Sequence, residues 1–154
     1  MRHWLMKSEP DVYSFDDLLR DKVTHWEGVR NYTARNFMRD DMKVGDLVLY
    51  YHSNAKPPHV AGIAKVAREG YPDPSQFDPK SDYYDASSKL DEPRWVLVDV
   101  SPVKKLARAI PLDELKANKK LAGMGVVQKG QRLSVMPVTK AEFDEVVDMA
   151  HRKI

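Results

Sequence analysis

An α+β domain, with a curved sheet wrapping into a small barrel and short helices packed around it, is the fold this sequence predicts. Three observations carry the expectation. Short runs of bulky residues, Leu47-Val48-Leu49-Tyr50-Tyr51 and Arg94-Trp95-Val96-Leu97-Val98-Asp99-Val100 foremost, have the length and composition of strands. Short segments with helical start signals alternate with them, and one long polar stretch interrupts the order. The 154 residues, 42% hydrophobic and 31% charged, read as a single globular domain over residues 1–154. A chain of that length buries about two-thirds of its unfolded surface.

Trp4-Leu5-Met6 reads as a first strand, turned outward by Lys7-Ser8-Glu9-Pro10. Ser14 and Asp17 have capping-box spacing, with Phe15, Leu18 and Leu19 on one helical face. A second helix is expected over residues 33–42, ended by the turn Lys43-Val44-Gly45-Asp46 before the strand at 47–51. Residues 60–67 form the next strand, where Gly62 admits the close approach of a neighbouring backbone. Residues 71–93 hold four prolines and few aliphatics, so they read as a wrapped surface loop and candidate lid. The strand at 94–100 is limited at its far end by Pro102. Pro111 opens a helix through Lys116, and Leu121, Met124, Val126 and Val127 return to the core. A last strand over 132–138 precedes a capping box at Thr139 and Glu142. Phe143, Val146, Val147 and Ala150 then fall at i, i+3, i+4 and i+7 of an amphipathic helix.

The absence of cysteine removes disulfides, thiolate metal sites and cysteine nucleophiles, and fits a reducing cytoplasm. No apolar run approaches the roughly 18 residues of a membrane span, and Met1-Arg2-His3-Trp4 does not open a signal peptide, so a soluble cytoplasmic protein is expected. A net charge of +2 is too small to mark a nucleic-acid partner by field alone. Segregation would be required, for example of Arg30, Arg35 and Arg39 onto one side. There is no G-x-S-x-G, P-loop or H-E-x-x-H, and His3, His25, His52, His59 and His151 lack metal-ligand spacing, so neither metal nor cofactor is expected.

The segment with most chemistry is Trp26-Glu27-Gly28-Val29-Arg30-Asn31-Tyr32-Thr33-Ala34-Arg35-Asn36-Phe37-Met38. Its polar residues break every apolar stripe that a core helix would need. An indole offers a stacking face, an asparagine amide pairs with a heterocycle edge, and guanidinium groups hold phosphate. A nucleobase is the ligand that uses all three.

Eight motifs resemble the EVE domain family in order and spacing over nearly the whole chain. They are Trp4-Leu5-Met6-Lys7-Ser8-Glu9-Pro10, Trp26-Glu27-Gly28-Val29-Arg30-Asn31-Tyr32, Ala34-Arg35-Asn36, Tyr51-His52-Ser53, Phe77-Asp78-Pro79, Tyr83-Tyr84-Asp85, Pro93-Arg94-Trp95 and Arg132-Leu133-Ser134-Val135. The resemblance, which is to the short bacterial-type single-domain members, implies a PUA-like β-pseudobarrel. Its expected activity is recognition of a modified base, methylated or carrying an oxidised methyl, flipped from DNA or RNA into an aromatic pocket. Other proteins of a nucleic-acid pathway are further expected partners. The chain departs from the family pattern at Asp85-Ala86-Ser87-Ser88, where a proline and a lysine are common, and at Thr33, where glutamine is common.

Carried over by position, Trp26 would be the base platform, with Val29, Asn31 and Tyr32 around it. Lys7 and Ser8 would stand at the mouth, and Tyr51, His52 and Ser53 would read a ring substituent. Arg30, Arg35, Arg94 and Arg132 are the expected phosphate or rim contacts, while Tyr83 and Tyr84 pin the long loop onto the barrel. The alternative is a small metal-free hydrolase of a nucleoside or related substrate, like some ASCH relatives, using Lys7 and Glu9 with Tyr32 or Tyr51 as an acid/base set.

Overall fold

A computed structural model describes residues 1–151. Six strands form one sheet: β1 (His3–Ser8), β2 (Thr24–His25), β3 (Leu47–His52), β4 (His59–Pro72), β5 (Val96–Pro111) and β6 (Val135–Val138), ordered β2-β5-β4-β3-β1-β6. Only β1 and β3 run parallel among these pairs, and the rest are antiparallel. The helices are α1 (Phe15–Asp21), α2 (Tyr32–Asn36), α3 (Leu112–Ala117) and α4 (Lys140–His151). Both capping boxes form: Ser14 with Asp17 opens α1, and Thr139 with Glu142 precedes α4. No helix among the described residues is long and apolar enough to cross a membrane.

Period-two alternation divides the core between the two faces of the sheet. Trp4, Met6, Val48 and Tyr50 join Phe15, Trp26 and Met38 on one face, whereas Leu5, Leu49 and Tyr51 join Leu115, Leu121 and Phe143 on the other. Four expectations need correction. Pro102 does not end a strand; it lies inside β5 opposite Ala64, at a register shift where a missing N–H costs no ladder bond. At Gly62 the close neighbour is a side chain rather than backbone, because an added Cβ would stand 2.4 Å from the Phe15 ring. The second helix switches at Phe37–Asp41 into a π-turn, with Met42 N–H donating to Phe37 O. The last strand begins at Val135 rather than Arg132.

Candidate nucleic-acid interface

Trp26 follows the two-residue strand β2, and its N–H donates to Val98 O at 2.9 Å, fixing the indole beside β5. The ring is 8% exposed and meets Tyr50 edge-on at 5.4 Å. Its outer margin lines a cleft of about 660 Å³. The three tryptophans are used differently. Trp4 donates its indole N–H to Asp46 and Trp95 donates its own to Asp85, but the Trp26 indole N–H has no hydrogen-bond partner among the described residues, nor is it an orphaned buried donor.

Gly28 makes the wall of this cleft possible. Its φ of +85 is left-handed, and an added Cβ would fall 2.7 Å from the Tyr83 ring. Its N–H donates to the wholly buried Asp73, which also accepts from Ser75 N–H, Ser75 Oγ and Arg30 Nη1. Arg30 in turn donates to Tyr83 O through Nη2 at 2.7 Å and Nε at 3.1 Å. The guanidinium therefore clamps the long loop over the Trp26 segment. Buried Gln76 completes that loop: its amide donates to Asp73 O and Trp95 O and accepts from Ser88 Oγ and Trp95 N–H. At Asp85-Ala86-Ser87-Ser88, where the family commonly has a proline, hydrogen bonds close the turn instead. Asp85 accepts from Ser87 N–H, Ser87 Oγ and the Trp95 indole, and these bonds hold its carboxyl down at about 2.

The structure brings Lys7, Ser8, Trp26, Val29, Arg30, Ser53 and Arg132 to the cleft. Other expected site residues lie elsewhere. Asn31 caps α2, accepting from Ala34 N–H at 3.0 Å. Tyr32, itself exposed, stacks on the buried Trp95 at 4.8 Å, and Arg35 covers Tyr32 while donating to Arg94 O; none of these four lines the cleft. Tyr51 faces the opposite side of the sheet from Trp26, as alternation from Tyr50 requires. The basic face suggested for Arg30, Arg35 and Arg39 does not form, since Arg30 turns to Asp73 and Arg39 to Asp40. Among the described residues, the cleft's lysine and arginine side chains without an ion pair are those of Lys7 and Arg132. Burial lowers the Lys7 ammonium below its ordinary range.

The lining residues not foreseen as pocket or rim members include Tyr13, His25 and Tyr83. Tyr83, 39% exposed, is an aromatic that the cleft presents to solvent. His25 Nδ1 lies 2.7 Å from Asp99 Oδ1, which also accepts from Tyr71 OH. Burial, then Asp99, pushes the Tyr71 phenol up to about 12. The adjacency of His25 to Trp26 was the available sequence signal.

His52 is buried behind α1. Its Nε2 accepts Phe15 N–H at 3.0 Å, so its proton sits on Nδ1, 2.9 Å from His59 Nε2, and His59 Nδ1 donates to Pro57 O. Burial, then His59, lowers the His52 pKa from 6.5, against an opposing pull from Asp16. Because the folded pKa is depressed, this contribution to stability is whole above about 6.5 and is lost as pH falls through the folded value. Melting curves between about pH 5 and 7.5 should show that decline, and it should shrink in His52→Gln. An equal acid decline in the variant would assign it to other groups, such as buried His3, whose pKa burial also lowers.

The EVE domain family model matches residues 2–149. The chain belongs to the EVE domain family. This EVE domain is 44% identical to human thymocyte nuclear protein 1 over 169 residues, covering 98% of the chain and 75% of the human protein. It superposes on a Pseudomonas putida protein structure with a TM-score of 0.93 at 47% identity, over 96% of this chain and 99% of that one. A crystal structure of human THYN1 in complex with 5-methylcytosine containing DNA matches with a TM-score of 0.93 and 43% identity, over 100% of both chains. The PUA-like architecture of these EVE relatives is the fold of this chain.

Proposed function

We propose that this EVE domain binds DNA carrying a modified cytosine, with the base turned out of the stack into the cleft beside Trp26. The observation that carries the reading is the free indole N–H of Trp26, in a cleft whose lining also holds the unpaired cations Lys7 and Arg132. The human relative crystallised with 5-methylcytosine DNA supports the choice of base. The indole offers a donor to the base edge, Tyr83 and Val29 offer apolar surface, and the two cations suit the flanking phosphates. Extrusion costs a few kcal/mol, and stacking returns about 1–3 kcal/mol per base, so edge hydrogen bonds or an already unpaired base must supply the rest. The reducing, cytoplasmic setting suggested by the missing cysteines belongs to the same reading.

A methyl group seated in an apolar niche is worth about 1–3 kcal/mol, or roughly 10- to 200-fold in affinity. Titration of paired oligonucleotides differing at one cytosine should reveal a preference within that range for the methylated strand. Matching RNA strands form the competing arm, and tighter binding there would reassign the ligand. Equal affinity for methylated and plain DNA would overturn base recognition.

A further inference from the structure

On the other side of β1's end lies a second groove, of about 740 Å³, between α3 and residues 122–131. Lys7 lines both the cleft and this groove. Lys116 and Lys129 join it there, and no carboxylate is among the described residues lining the groove. None of the three ammonium groups has an ion pair or hydrogen bond with another described residue; that of Lys7 has only the Tyr51 ring, at 5.9 Å. Unpaired lysines occur elsewhere in the chain, but this groove sets three of them together with no acid in its lining. A nearby groove is lined differently: Arg108 is held by Glu114, and Lys120 by Glu145.

Three unpaired ammonium groups without a local acid repel one another unless an anion lies among them. Arg132 extends the same band, because the segment that gives Lys129 and Gln131 to the groove gives Arg132 to the cleft. We infer that the Lys7-Lys116-Lys129 groove is a second nucleic-acid subsite, which takes the phosphate backbone of the strand leaving the cleft. This rests on the base-binding reading above and extends it. Base identity is read at the cleft, and the groove adds affinity that grows with strand length and is indifferent to sequence.

The test is the double variant Lys116→Ala/Lys129→Ala, both sites being exposed and outside the cleft. Its affinity for a labelled 20-nucleotide single strand with one central 5-methylcytosine is measured across a salt series. Two lost phosphate contacts should reduce the slope of log K against log salt by about 1.4, at roughly 0.7 per contact on single strands. Binding of a trinucleotide, too short to leave the cleft, should not change. Lys43→Ala/Lys140→Ala removes equal charge from the Glu69 and Asp144 pairs and should leave the slope near wild type, whereas Lys116→Arg/Lys129→Arg should restore it. A slope shared by wild type and the first variant overturns the groove and leaves base recognition standing. A slope that falls while methylated and plain strands bind alike supports the groove and overturns base recognition.

Discussion

Trp26→Ala is expected to abolish measurable binding to 5-methylcytosine DNA and to remove about 3–5 kcal/mol of folding stability. The two losses have different origins. Stability falls because the indole packs edge-on against Tyr50 within the cluster that also holds Phe15 and Met38, so truncation leaves a cavity. Binding falls because the cleft loses its free indole N–H and the surface beside it. Trp26→Phe separates them: a ring still fills most of the space, but nothing donates. Binding about tenfold weaker, equivalent to ~1.4 kcal/mol, is expected with a far smaller shift in urea midpoint. Unchanged affinity in a folded Trp26→Phe protein would show that the indole N–H does not meet the ligand. Lys80→Ala, an exposed position outside the cleft lining, is the matched control and should bind as wild type.

Strand β3 was legible because Leu47 to Tyr51 are bulky and bounded by turn residues, and α1 and α4 because their capping boxes are written in the chain. The strand β2 was not, since two residues show no period. Proline misled at Pro102, where a bulge removes the demand for its N–H. Motif resemblance brought Trp26, Lys7, Ser8 and Ser53 to one cleft, but it could not assign faces. Adjacent Tyr50, Tyr51 and His52 look alike as a motif, although the pleat sends Tyr51 to the opposite core and buries His52 against Phe15. Loop polarity hid the most. Asp73 and Gln76 read as solvated residues of a polar stretch, yet both are wholly buried and organise the wall of the site. A motif of single residues cannot signal this, because their partners Gly28, Arg30 and Trp95 are distant in the chain.

That hidden hub makes Asp73→Ala the second large effect, although Asp73 does not itself line the cleft. Four donors converge on its carboxylate: Gly28 N–H at 2.9 Å, Arg30 Nη1 at 3.1 Å, Ser75 N–H at 2.8 Å and Ser75 Oγ at 2.6 Å. Removing it leaves the Arg30 guanidinium, 22% exposed, without its counter-charge, and breaking such a buried pair costs about 3–5 kcal/mol. The left-handed Gly28 turn loses its tether in the same stroke, and Tyr83 is then held by an arginine that no longer has a fixed position. Binding of methylated DNA should therefore fall with stability, and amide exchange should quicken first at residues 28–30 and 73–76, ahead of β3 and β4. Asp73→Asn keeps the shape and one acceptor, so it should lose less stability than alanine and retain part of the binding. If Asp73→Ala unfolds at the wild-type urea concentration, the loop is held by Gln76 and Asp85 alone, and the Arg30 clamp contributes nothing to the cleft.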